Sequence, residues 1–523
     1  MNKRKHQRAA AVFPWMPDNG DGTYKNPIIF ADYSDPDVIC HGDDFYLVSS
    51  SFHCVPGLPI LHSKDLVNWT ILGHVFQNYP FAEFDTPQHG NGVWAPSLRF
   101  HDGQFFLFFG DPDKGIFMSK AGNPAGPWAP LHLVRNAKGW IDPCPFWDED
   151  GNAYLVHAWA KSRSGIKSVL TINRMSPDGT QLLDDGTLVF DGTVDHPTIE
   201  GPKLYKRNGY YYVFAPAGGV SEGWQTVLRS KQIFGPYDDK IVLAQGATEI
   251  NGPHQGAWVE TESGESWFVH FQDRGAYGRI VHLQPMKWIA DWPAIGNQDE
   301  DTGHGEPVLV HHKPNVGTAQ AITAPQTNDE FDSGELGPQW QWNANPKKAW
   351  LSLTERAGWL RLFPEQKPDK AMNLWSVPNL LLQKFPALEF TVTTKLDFSN
   401  LAMGERAGLI VMGMDYSNIA VERAADGFRL AKAACRDAHT GADAVVEGEV
   451  RRLGDFALLR VKVAAGAVCT FSYSNDGKKF APLGKPFTAR EGIWIGAKVG
   501  LYFLSSRGAR ESGYADFDWF RFE

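Results

Sequence analysis

The chain has 523 residues, with 50 Lys and Arg against 60 Asp and Glu, a formal net charge of −10, and 43% hydrophobic and 21% charged residues. That length exceeds one ordinary hydrophobic core and predicts two domains, one of them large. The acidic balance argues against a nucleic-acid-binding surface, which needs a basic face, and no apolar run reaches the length of a membrane-spanning helix.

The chain begins MNKRKHQRAAAVFPWMPDNG. A short apolar stretch follows the basic residues but is broken by Pro14 and Pro17, so residues 1–24 are expected to form a solvated tail rather than a secretory signal. Five cysteines, Cys40, Cys54, Cys144, Cys435 and Cys469, are odd in number and lack the spacing of a metal knuckle. They are expected to be reduced thiols of a cytoplasmic protein.

From residue 25 a pattern repeats. Glycine turns precede aromatic runs in GDDFYLV, GQFFLFF, GNAYLVHAW, GYYYVF and GESWFVHF. Taking Tyr46, Phe106, Tyr154, Tyr212 and Phe268 as equivalent, the spacings are 60, 48, 58 and 56 residues. A second element, Ser-Lys followed by an aromatic, recurs as Ser63 to Trp69, Ser119 to Trp128 and Ser230 to Tyr237. Aromatics at 13% and 52 glycines fit many short strands and tight turns. Five all-β repeats predict a five-bladed β-propeller over residues 25–312, each blade a four-stranded sheet.

In a propeller the first strand of each blade lines the central channel. Twelve residues upstream of Phe106, Tyr154 and Tyr212 stand Trp94, Asp142 and Glu200, and eleven upstream of Tyr46 stands Asp35. Twelve upstream of Phe268 is Gly256, with Gln255 and His254 just before it. Three carboxylates and a tryptophan are therefore expected around one cavity. Asp37 rivals Asp35, because residues two apart on a strand share a face. Two carboxyl groups across a cleft are the minimum for cleaving a glycosidic bond. Burial and a neighbouring negative charge hold one protonated as the general acid, and the other, ionised, activates water. The expected roles are Glu200 as acid, Asp35 as base, Asp142 as the group that tunes Glu200, and Trp94 as a flat face for a sugar ring. The histidines at 254, 270, 304, 311 and 312 show no clean metal spacing.

Residues 313–328, KPNVGTAQAITAPQTN, read as a linker. Beyond it Leu388, Phe390, Val392, Leu396 and Phe398 alternate onto one face, and further strand signals follow, predicting a β-sandwich over 329–523.

NPIIFADYSDPDVICHGDDFYLVSSSF, GVWAPSL, WIDPCPFWDEDG, TIEGPKLYKRNGYYY and HQGAWVE resemble, in this order, the motifs of glycoside hydrolase family 43, especially its two-domain β-xylosidase and α-L-arabinofuranosidase members. The resemblance covers nearly the whole chain. It implies a five-bladed propeller with inverting chemistry and a concanavalin-like C-terminal sandwich. It implies Asp35 rather than Asp37 as base, Asp142 as pKa modulator, Glu200 as acid and Trp94 as the active-site tryptophan. It further implies that Arg279, ahead of Arg274, contacts the sugar and that Phe52 lines its pocket. The family's channel histidine, which helps hold a calcium ion or a water cluster, aligns with Gln255, with His254 adjacent, so a structural calcium is left open; no cofactor is required, because a carboxylate activates the water. The expected activity is exo-acting release of terminal D-xylose or L-arabinofuranose from xylo- or arabinoxylo-oligosaccharides, with xylose favoured. Arabinofuranosidase activity or a non-catalytic sugar-binding propeller are the alternatives. The sandwich either binds polymer or packs against the propeller and narrows its mouth, the latter preferred. Homo-oligomerisation is left open.

Overall fold

The aromatic runs become the second strands of five blades, Asp44–Val48, Gln104–Asp111, Ala153–Trp159, Tyr210–Ala217 and Ser266–Asp273. The computed structural model describes residues 13–299, 301–368, 371–451, 453–454, 456–505 and 513–523. In every blade four consecutive strands pair in chain order, neighbours antiparallel. We number the blades I to V. Their innermost strands are Asp37–His41, Trp94–His101, Trp140–Trp147, Lys203–Arg207 and His254–Glu260. Blade IV carries two further short strands on its outer edge, Asn297–Gln298 and Gly305–Glu306. The ring closes where the innermost strand of blade V lies against that of blade I. Ile29 strengthens this closure by pairing with Val281 of blade V.

The recurring Ser-Lys…aromatic element is the turn between third and fourth strands. Its aromatic closes the turn by donating to a carbonyl a few residues back: Trp69 Nε1 to Leu66 O at 2.8 Å, Trp128 Nε1 to Pro124 O at 3.2 Å, and the Tyr237 hydroxyl to Ile233 O at 2.8 Å. A buried carbonyl that the ladder leaves free is thereby satisfied.

Each blade also has one left-handed residue where the chain enters the channel: Asp35 (φ 55°), Ala95 (φ 30°), Asp142 (φ 56°), Gly201 (φ 58°) and Gln255 (φ 32°). In blades I to IV a proline follows, at 36, 96, 143 and 202. The kinks of blades II, III and V are bulges in the pairing with the second strand. A bulge re-aims a side chain out of the pleat. At a non-glycine residue a left-handed backbone costs about 1–3 kcal/mol and persists only where the surroundings enforce it. The register therefore differs by one among blades: Asp35, Asp142 and Gln255 are the kink residues, whereas Trp94 and Glu200 precede theirs.

The C-terminal domain stacks two eight-stranded antiparallel-rich sheets. Phe390, Val392 and Leu396 of one sheet meet Leu409, Val411 and Leu501 of the other in a dry core. Phe390–Asp397 carries the predicted alternation, with Phe398 also buried just past its end and Leu388 partly buried before it.

Two segments are more ordered than the sequence implies. Residues 1–12 lie outside the described residues, but from residue 13 the expected tail packs: Trp15 stacks near Phe30, Tyr24 is fully buried, and Asp18 pairs with Lys313 at 2.6 Å. The strand Thr23–Lys25 pairs with Val310–His312. The linker follows the propeller, where Gln326 exchanges hydrogen bonds with both backbone groups of Ile71 and Thr323 N donates to Asn68. Composition marked neither as ordered, but side chains tie both to blade I: Asn68 Nδ2 donates to Asp18 Oδ2, and the Gln326 amide pairs with Ile71.

The sandwich packs against the mouth side of the ring. Val55 and Trp342 form a two-way backbone bridge, Gly496 N donates to Asp32 at 3.1 Å, and Tyr277 accepts from Ala467 N and donates to Leu388 O.

Candidate active site

Asp35, Phe52, Trp94, Asp142, Glu200, Gln255 and Arg279, all singled out in the sequence, line one cavity at the channel mouth, of about 470 Å³ including its open end. Ala95, Ile141, Val220, His254 and Trp494 complete the wall. Arg274 is not part of it and lies 3.9 Å from Glu249. Asp37 points the other way: its Oδ2 accepts from Leu98 N and Arg99 Nη1, both at 2.7 Å. Two residues apart would share a face on a regular strand, but Asp35 precedes the strand at a left-handed turn and escapes that alternation.

Asp35 is held by three side-chain contacts. Its Oδ2 accepts from Ser34 Oγ at 2.8 Å and Ser50 Oγ at 2.5 Å, and its Oδ1 meets Arg279 Nη1 at 3.1 Å. Ser50 is itself oriented by Ala95 N at 2.7 Å, and Arg279 by Ser34 Oγ at 2.7 Å. Together they fix the orientation of the carboxyl group toward the cavity.

Asp142 and Glu200 form a coupled pair. Burial, first, pushes the Asp142 carboxyl above its usual range, with the Asp35 charge adding to it, while the Gly201 N–H at 2.8 Å and the charges of Lys203 and Arg279 pull it back. Gln255 Nε2 also donates to Asp142 Oδ2, at 3.2 Å. Glu200 is raised by burial and then by the Asp142 charge, with Arg279 opposing. The hydrogen bonds on Asp142 favour its ionised form, so the shared proton resides on Glu200. The Glu200 side chain is more open than that of Asp35, 26% exposed against 7%, so its carboxyl group is reachable from the cavity.

Below the carboxylates Lys203 is buried, donating to Pro96 O at 2.9 Å and Ser97 Oγ at 2.7 Å. His254 lies with Nε2 3.3 Å from Glu200 Oε1, and among the described residues neither ring nitrogen has a hydrogen-bond partner. Burial, with Arg279 nearby, pushes the imidazole down to about 3, so it is neutral.

Trp94 is held by Nε1 donating to Gly90 O at 2.9 Å, with Phe52 edge-on at 6.3 Å. Trp494 comes from the sandwich, edge-on to Trp94 at 6.0 Å and 5.8 Å from the Arg279 guanidinium. It is 48% exposed and so forms the outer lip. Nothing in the sequence repeat pointed to it, since no periodicity links a sandwich loop to the hub. Ser34 and Ser50 flank residues the motifs had marked, and only the fold brings them onto Asp35.

Gln255 Nε2 donates to Asp142, while its Oε1 and both ring nitrogens of His254 are buried without a hydrogen-bond partner among the described residues. Among the described residues no three His, Cys, Asp or Glu side chains converge as metal ligands.

The family model of glycosyl hydrolases family 43 matches residues 24–293, and that of the beta xylosidase C-terminal concanavalin A-like domain matches residues 328–523. A Xylanibacter ruminicola protein with the provisional name beta-xylosidase is 42% identical over 92% of this chain and 86% of its own length. A Bacteroides ovatus non-reducing end alpha-L-arabinofuranosidase is 30% identical over 96% of this chain and 94% of its own. The crystal structure of the GH43 BlXynB protein from Bacillus licheniformis superposes with a TM-score of 0.84 at 27% identity, covering 96% of this chain and 99% of that one. With both domains matched from end to end, the chain belongs to glycoside hydrolase family 43 and is a glycoside hydrolase.

Proposed function

We propose that this enzyme is an exo-acting, inverting β-xylosidase that removes terminal D-xylose from xylan-derived oligosaccharides. One observation carries the reading: a proton-bearing Glu200 and the arginine-held carboxyl group of Asp35 face the same cavity, the pairing that single-displacement hydrolysis requires. Glu200 donates its proton to the glycosidic oxygen as the bond to the anomeric carbon breaks. Asp35 removes a proton from the water that attacks the opposite face. Asp142 keeps the proton on Glu200 until the leaving oxygen needs it. Trp94 and Phe52 offer apolar faces to the ring, and Arg279 and Gln255 offer donors to its hydroxyls.

Trp494 of the sandwich closes the cavity wall together with the hub residues, which supports exo action on a chain end. The beta-xylosidase name of the Xylanibacter relative supports xylose, and the Bacteroides relative's name supports L-arabinofuranose as a second substrate. The two sugars can present similar hydroxyl patterns to such a pocket. No cofactor is needed in this scheme. Five unpaired cysteines support a reducing, cytoplasmic compartment.

A panel of aryl glycosides and short xylo- and arabino-oligosaccharides tests the assignment. Turnover of the β-xylosides is expected to be highest; a panel without any turnover would leave only a sugar-binding propeller. Proton NMR of fresh product from a β-xyloside is expected to show α-xylose first, and β-xylose first would overturn inversion.

A further inference from the structure

Lys498 is a buried amine without a carboxylate partner among the described residues. Its residue is 3% exposed, and among the described residues it takes part in no ion pair with an acid. Its Nζ instead lies 2.9 Å from the sulfur of Cys54 and 3.1 Å from Gln341 Oε1. Cys54 is 2% exposed and belongs to the propeller, in the loop between the second and third strands of blade I. Lys498 opens the sandwich strand Lys498–Ser505. A thiol of one domain and an amine of the other thus touch in the buried seam between them.

Both ends are held. Cys54 N donates to Ser51 O at 2.9 Å, and the next residue, Val55, is bridged to Trp342. Lys498 is central in its sheet, paired with Lys384 on one side and Met412 on the other. Lysine normally keeps its strongly hydrated head in water. Here it is packed against a polarisable, oxidisable sulfur, an arrangement that stability alone does not call for.

We propose that Cys54 and Lys498 are an oxidative cross-linking site, at which hydrogen peroxide joins the two domains through a covalent sulfur–oxygen–nitrogen bridge. The separation of 2.9 Å is too long for a direct sulfur–nitrogen bond and leaves room for one intervening oxygen. In the first step peroxide transfers an oxygen to the thiol, giving a sulfenic acid and one water. In the second step the sulfenic oxygen and the free amine each lose a hydrogen to a second peroxide, an oxygen–nitrogen bond forms, and two waters leave. Sulfur and nitrogen are each oxidised by two electrons, and the two peroxides take up all four.

The other cysteines provide the contrast. Cys144 has Arg99 Nη2 at 3.0 Å, but a guanidinium stays protonated and is no nucleophile. Cys40, Cys435 and Cys469 each donate to a backbone carbonyl. Cys54 alone pairs with an amine, and its loop also carries Ser50, which holds Asp35, and Phe52, which lines the cavity. A bridge at Cys54 therefore ties the sandwich to the loop that shapes the sugar pocket.

The test is peptide mapping by mass spectrometry of the full-length protein, one sample kept in dithiothreitol and one treated with hydrogen peroxide. In the peroxide sample the Cys54 and Lys498 peptides are expected to appear joined, heavier than their sum by one oxygen and lighter by two hydrogens, with trypsin no longer cutting after Lys498. Dithiothreitol added afterwards is expected to restore the separate peptides. Cys54→Ser and Lys498→Arg are each expected to abolish the joined species, while the wild-type arms stand even if a variant folds poorly. Peptides that stay separate after peroxide, whether unchanged or with Cys54 oxidised alone to sulfinic acid, overturn the proposal.

Discussion

The sandwich and the propeller hub bury different chemistry inside similar strands. At the sandwich centre Val392, Leu409, Leu459 and Leu501 have no exposure, and regular alternation puts them there. At the hub Asp35, Asp142, Lys203, His254 and Arg279 are buried, and the backbone leaves regular geometry at five matched kinks to aim groups inward. The first region is arranged for stability. The second holds charge and strain that the surrounding blades must support, which is where function is expected to concentrate.

Substitutions in the two regions should therefore separate. The largest effect is expected at the hub: Asp142→Asn should lower turnover about 10³-fold, within the range of general acid–base catalysis. It should also move the pH profile. The Asp142 charge raises Glu200, so an uncharged neighbour lets Glu200 lose its proton sooner, and activity should fall off at lower pH on the alkaline side. A profile of unchanged shape would break the assigned tuning role. In the sandwich, Leu459→Ala should lower unfolding free energy by about 3 kcal/mol through cavity formation, measured by denaturant titration, with the pH profile of activity unmoved. A smaller effect is expected where the regions meet. Trp494→Ala should raise KM about tenfold with kcat changed less, the signature of lost ground-state binding. If kcat fell instead, the lip would be acting on the chemical step.

The same contrast explains what was legible in the sequence. Glycine turns followed by aromatics have a fixed place in a blade, so Tyr46, Phe106, Tyr154, Tyr212 and Phe268 located all five second strands. The hub was legible only to within a residue. Counting back from the aromatics assumes an unbroken pleat, and the bulges at Ile141/Cys144 and His254/Gly256 break it. The prolines at 36, 96, 143 and 202 were the available signal for the kinks, since each follows the left-handed residue directly. Family motifs, rather than strand geometry, separated Asp35 from Asp37. Trp494, 400 positions from Trp94, and the Cys54–Lys498 contact, spanning 444 positions, obey no local period. Only packing of the two domains reveals them.

The central claim is that Glu200 delivers the proton to the leaving oxygen. Its most direct test compares Glu200→Ala with the unsubstituted enzyme on two β-xylosides, xylobiose and an aryl xyloside whose phenolate departs without protonation. The account predicts a loss of about 10³-fold or more in kcat on xylobiose, the scale of removing a general acid, with a far smaller loss on the aryl xyloside. Equal losses on both substrates, or unimpaired hydrolysis of xylobiose, would contradict it.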